Sequence, residues 1–204
     1  MPAKNLIVAI ALGACLAAGI WAAFNLAPPP PTLVSATVLP AAGDVPEFDL
    51  IDQAGAPVDE RFFRGQWDLV FFGFTNCPDV CPITLNVLSA ARRELAASGA
   101  GNLPRIVLVS VDPERDTPEV LGRYVSSFGE GVAGVTGEME QIRRLTDGLG
   151  IFFQKREPTD DGYYAVDHSS AVLVIDPDGR FHALFSAPHR IENFVNDLPI
   201  LGAS

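Results

Sequence analysis

Apolar residues mass in one long block at residues 6–24, then recur in short runs separated by polar, proline or glycine breaks. Two runs, Leu69-Val70-Phe71-Phe72 and Ile106-Val107-Leu108-Val109, are continuous, the pattern of strands covered on both faces. They predict strands over residues 67–74 and 105–111, and residues 171–175 predict another. Helical spacing takes over between them. Ile83, Leu85, Val87, Leu88 and Leu95 give one buried side to a helix over 82–98, which Gly99 and Gly101 stop. Thr117 caps a second helix, with Pro118 in its first turn. Thr136 is placed to cap a third, carrying Met139, Ile142 and Leu145, and residues 188–198 form a closing helix. Weaker apolar runs lie at 48–51, 132–135 and 151–153. Asp176-Pro177-Asp178-Gly179 is a turn, so 171–175 and 180–185 read as a β-hairpin. The predicted order is βαβαβαββα, a single α/β domain with a mixed sheet.

The leading block has no polar face and follows Lys4. As a helix it reaches roughly 28 Å, close to the hydrocarbon thickness of a bilayer, with its basic end cytoplasmic. It reads as a retained anchor, a cleaved signal peptide or a lipoprotein leader. In the last case Leu12-Gly13-Ala14-Cys15 is the processing box and Cys15 the lipidated residue. All three export the rest of the chain. Residues 1–26 are thus anchor or signal. Residues 27–45 are a linker stiffened by Pro28-Pro29-Pro30-Pro31, and residues 46–204 are the domain.

Charge narrows the partners. Lys plus Arg is 14 and Asp plus Glu is 25, for a net −11. No basic cluster offers a phosphate surface, which argues against nucleic acid. Of three cysteines, Cys15 lies in the leader, so Cys77 and Cys81 are the domain's only pair. That is no disulfide scaffold.

The pair sits in Val70-Phe71-Phe72-Gly73-Phe74-Thr75-Asn76-Cys77-Pro78-Asp79-Val80-Cys81-Pro82, where a central strand gives way to a helix. Free N–H groups and the helix dipole at such a point favour a thiolate. The two sulfurs suit a disulfide, a reactive dithiol or half of a metal site. A third donor is available in His168, just before a core strand. His182 is expected to face solvent within the hairpin, and His189 to lie at a helix start. Two thiolates and an imidazole form a soft set that suits Cu+ in a trigonal plane, or Cu2+ with an added oxygen. Zinc accepts these donors but normally takes a fourth, and none is evident. Met1 and Met139 are badly placed for an axial role.

At these residues the chain resembles the Sco/SenC family of copper-binding, thioredoxin-like proteins. The likeness runs from about Pro46 to Leu198. It rests on the cysteine stretch, on Val109-Ser110-Val111-Asp112-Pro113-Glu114-Arg115-Asp116-Thr117-Pro118, on Tyr164-Ala165-Val166-Asp167-His168-Ser169, and on Asp176-Pro177-Asp178-Gly179. It implies a thioredoxin-like fold, a central mixed sheet flanked by helices, behind an N-terminal membrane segment. It implies copper ligands Cys77, Cys81 and His168, with Asp112 and Asp167 supporting them. It implies a metallochaperone that helps build the dinuclear copper centre of cytochrome c oxidase subunit II, by copper delivery, by reduction of target cysteines, or both. The setting implied is the bacterial inner membrane with the domain in the periplasm, served by a copper donor or a thiol reductant. A dedicated thiol-disulfide oxidoreductase using Cys77 and Cys81 as a redox pair, and a copper or redox sensor, are the alternatives. The three-residue gap between the cysteines and the Asp167-His168 pair count against a general oxidoreductase. No peroxidase threonine-to-cysteine motif is present.

Overall fold

The computed structural model describes residues 32–160 and 162–203, together with Leu12, Gly13, Cys15, Leu16, Gly19 and Trp21. Among the described residues no helix is long and apolar enough to cross a membrane. Most of the expected anchor at 6–24 lies outside the described residues, as does the proline run at 28–31. The folded unit spans Leu33–Ser204.

Among its described residues are ten strands, four α-helices and a 3-10 helix at Glu60–Phe63. The strands are β1 (Thr37–Asp44), β2 (Leu50–Asp52), β3 (Pro57–Val58), β4 (Asp68–Gly73), β5 (Arg105–Ser110), β6 (Val132–Thr136), β7 (Phe153–Lys155), β8 (Val166–His168), β9 (Val172–Ile175) and β10 (Arg180–Phe185). The helices are α1 (Val80–Ala97), α2 (Pro118–Ser126), α3 (Met139–Gly148) and α4 (Ile191–Leu201). Eight strands form one mixed sheet in the order β1-β10-β9-β4-β5-β6-β2-β3, while β7 and β8 pair separately. β4 is buried along its whole length, as its continuous apolar run requires.

Two pairings of β4 position the site. β5 runs parallel to it, Gly73 opposite Ser110, so both strands end at the same edge. β9 runs antiparallel, Phe71 opposite Val172, so β9 begins where β4 ends. The loops after β4 and β5 and the segment before β9 therefore converge at one edge. At the other end of β4, Asp68 is buried against Arg105 at 2.7 Å, and Arg105 stacks 3.7 Å over the Phe62 ring.

Several expectations change. The domain begins earlier than Pro46: β1 lies within the stretch read as linker and pairs with β10 at the sheet edge. Its residues are mostly exposed and carry no strand periodicity. Asp197 of α4 is buried and accepts the N–H groups of Val34, Ser35 and Ala36 at 2.7–2.8 Å, which fixes the entry to β1. Thr117 caps α2 as expected. Thr136 does not cap α3, because it is the buried last residue of β6, paired with Ile51. His182 is half-buried rather than solvent-facing. The β10 register shifts between Phe181 and Ala183, which turns the His182 ring onto Trp67 at 5.6 Å.

Candidate metal centre

The cysteine segment starts as β4 ends. The Cys77 N–H donates to the Phe74 carbonyl at 3.3 Å, which closes a turn, and α1 begins at Val80. The helix thus starts two residues ahead of the predicted Pro82. A proline fits the first turn, where its missing N–H needs no partner. Cys81 consequently lies within the first turn and is fully buried, whereas Cys77 is half-buried. The backbone makes room for the Cys81 sulfur through Gly73. A Cβ at that position would meet Sγ at 2.9 Å.

His168 ends β8, in the segment that leads into β9. Its Nε2 lies 3.5 Å from the Cys81 Sγ. Its Nδ1 faces the Ser169 carbonyl at 2.9 Å, which assigns the proton to Nδ1 and leaves the Nε2 lone pair directed at the sulfurs. The imidazole is held edge-on by Phe71 and Phe74, with centroids at 5.8 and 5.9 Å. The donor atoms of Cys77, Cys81 and His168 all lie within 4.8 Å of one another. Donors about 2.0–2.3 Å from one metal in a trigonal plane are roughly 3.5–4.0 Å apart. Contraction by less than about 1 Å would close the set on an ion. Among the described residues no other His, Cys, Asp or Glu joins it.

Burial dominates the electrostatics. It pushes the Cys81 thiol far above its ordinary pKa. A backbone hydrogen bond from Phe74 offsets part of this, and Cys77 and Asp116 add to the rise. In the metal-free protein this outweighs the thiolate preference expected of a helix start. A bound cation reverses the balance, since coordinating thiols are deprotonated. Burial also lowers the His168 pKa, against the opposing pull of the Ser169 carbonyl and the Asp167 charge. The ring is therefore neutral and able to coordinate at pH 7.

The expected supporting carboxylates take up other contacts. Asp112 is buried, ion-paired with Arg115, and accepts the Tyr164 hydroxyl at 2.8 Å. Asp167 pairs with Arg156 at 2.5 Å and reaches His168 only through its charge. Neither hydrogen-bonds a ligand side chain. His189 bonds the Ser170 carbonyl at 2.7 Å, and Met139 packs on the core. The residue that sequence reasoning missed is Asp116. Fully buried, it accepts from Thr75 N at 3.0 Å, Thr75 Oγ1 at 2.5 Å and Ser110 Oγ at 2.6 Å. It lies in the Val109–Pro118 stretch that carries the family likeness, but its local setting, ahead of the Thr117-Pro118 helix start, reads as a solvated loop residue.

Comparison with protein families matches residues 38–200 to SCO1/SenC. The chain belongs to the SCO1/SenC family. Within that family, the mouse mitochondrial protein SCO2 homolog is 36% identical over 152 residues, which are 74% of this chain and 60% of the longer mouse protein. Arabidopsis thaliana ScoI with copper bound superposes with a TM-score of 0.72 at 32% identity, covering 77% of this chain and 97% of that one. Bradyrhizobium japonicum ScoI with copper bound gives 0.69 at 34% identity, covering 78% and 99%. The α/β fold with its mixed central sheet is thus the thioredoxin-like fold of SCO1/SenC proteins, and the Cys77, Cys81 and His168 cluster lies inside the matched span.

Proposed function

We propose that this chain is a copper metallochaperone for assembly of the dinuclear copper centre of cytochrome c oxidase subunit II. The convergence of Cys77, Cys81 and His168 carries the reading, with the His168 Nε2 lone pair directed at the sulfurs. The copper-bound Arabidopsis and Bradyrhizobium relatives support it. Copper is cargo here. Two thiolates and a neutral imidazole hold Cu+, and an added oxygen donor completes a site for Cu2+. Thiolates of the target displace the ligands one at a time, beginning at the accessible Cys77, so the ion is never released free. The leading segment tethers the domain on the periplasmic side of the inner membrane.

The unequal burial of the two cysteines favours a second reading, reduction of the target's disulfide. The half-exposed Cys77 thiolate attacks one target sulfur, forming a mixed disulfide and expelling the other target sulfur as a thiolate. Cys81 then attacks the Cys77 sulfur and breaks the mixed disulfide, its proton passing to the departing target sulfur, which leaves as a thiol. Two electrons pass to the target, and this chain is left with a Cys77–Cys81 disulfide for an exported thiol reductant to reopen.

The test is titration of the reduced, metal-free soluble domain with Cu+, beside Cys77→Ala, Cys81→Ala and His168→Ala. One strong site weakened by every substitution is expected. Undiminished binding by His168→Ala would remove the histidine from the ligand set. Incubation with an oxidised or an apo subunit II fragment then separates the readings. Reduction without copper transfer supports the oxidoreductase.

A further inference from the structure

We propose that the loop between β5 and α2 is a brace that sets the separation of the two halves of the metal site. In it Asp116 positions the cysteine segment and Arg115 positions His168. The inference rests on the copper-site reading above. The two halves come from segments 87 residues apart, yet Cys81 Sγ and His168 Nε2 meet at 3.5 Å. This loop grips both.

On the cysteine side, both carboxylate oxygens of Asp116 hold Thr75, two residues before Cys77, at its N–H and its hydroxyl. Ser110 at the end of β5 supplies a third hydrogen bond. Among the described residues Asp116 has no cationic partner. Burying a carboxyl without one is costly, and here only the three hydrogen bonds from Thr75 and Ser110 offset that cost, so the carboxyl is tied to those two residues. On the histidine side, the Arg115 guanidinium lies 3.7 Å over the Tyr164 ring, and its Nη1 donates to the Tyr164 carbonyl at 3.1 Å. Asp112 binds Arg115 and also accepts the Tyr164 hydroxyl, closing a ring of contacts around a residue four positions before His168. The two grips meet at Phe74. Its ring packs against His168 and lies 5.5 Å from the Arg115 guanidinium. Arg115 and Asp116 are positioning residues and touch no ligand atom themselves.

Cu+ affinity, measured by competition with a chromophoric chelator, tests this in two backgrounds. Arg115→Met should lower affinity about 10- to 100-fold, the usual effect of losing a group that orients a ligand. In a His168→Ala background it should have almost no further effect, because the ligand it places is gone. Arg115→Lys keeps the charge but loses the stacked fork, and should remain impaired. Asp116→Asn and the near-isosteric Thr75→Val should weaken binding in both backgrounds, because they act through the cysteines. Thr75→Val serves if Asp116→Asn does not fold. In the metal-free protein, NMR contacts between the His168 and Phe74 rings should weaken in Arg115→Met. Equal losses from Arg115→Met in both backgrounds, or wild-type affinity in the single variants, would overturn the brace. If the wild-type domain does not bind copper, the metallochaperone reading fails instead. Unchanged His168–Phe74 contacts in metal-free Arg115→Met would then overturn the brace separately.

Discussion

Gly73→Ala asks whether the space for the Cys81 sulfur is built by the backbone. The new Cβ would lie 2.9 Å from Cys81 Sγ, 3.0 Å from Phe71 Cε1 and 3.3 Å from Leu108 Cδ1. Comfortable contact begins at about 3.5–4.0 Å, so the sulfur must retreat by roughly 0.6–1 Å. Gly73 has no positive φ, so packing alone resists the change. All three neighbours are fully buried in the core around β4. Overpacking of this kind costs about 1–3 kcal/mol. For a domain of this size that is a fall in Tm of roughly 2–12 °C. Cu+ affinity should fall as well, since the displaced atom is a ligand. Thermal unfolding of the metal-free domain and chelator competition would measure both. Adding Cys81→Ala removes the clashing sulfur, so Gly73→Ala should cost less stability in that background. Wild-type Tm and affinity in Gly73→Ala, or an equal stability loss with Cys81→Ala present, would refute the packing argument.

Three further outcomes follow from individual contacts. In the reduced, metal-free domain Cys77 should react with iodoacetamide much faster than Cys81, whose thiol is buried and held protonated; mass spectrometry showing equal rates would contradict the site geometry. Arg105→Met leaves the buried Asp68 carboxylate unpaired and should cost about 3–5 kcal/mol in denaturant unfolding, while a loss below about 1 kcal/mol would show that Asp68 finds another partner. Burial raises the Asp197 pKa, but the N–H groups of Ala36 and Val34, the Asn196 amide and the Ser35 N–H outweigh it, so the folded value lies below the ordinary carboxylate range. Its stabilisation is therefore complete above the unfolded-state pKa and is lost as pH falls through the folded value. Asp197→Asn should destabilise by about 1.5–3 kcal/mol at pH 7 and progressively less on acidification, and a penalty independent of pH would exclude the charged clamp.

Much of the site is readable in one dimension. A continuous apolar run such as residues 69–72, bounded by polar and glycine breaks, reads as a strand covered on both faces, and two cysteines at its junction with a helix suit thiol or soft-donor chemistry. The donor types alone narrow the metal. Other features have no local signature. β1 has exposed, aperiodic residues and becomes a strand only because β10 offers a free edge and Asp197 holds its entry. β7 and β8 are only three residues each, too short for a period-2 pattern to announce them, and their pairing shows only in the structure. Asp116 reads as a solvated loop residue until Thr75 and Ser110 close around it.

The same division runs through the metal centre. Residue identity determines which atoms can bind and leaves open whether they meet. Parallel β5 and antiparallel β9 on either side of β4 bring the three loops to one edge, and helix packing buries Cys81 while leaving Cys77 accessible. Burial then reverses the thiol preference that a helix start alone suggests. Side-chain periodicity records which face of an element is covered; which elements are neighbours, and so which charges lose their water, follows only from how the strands pair.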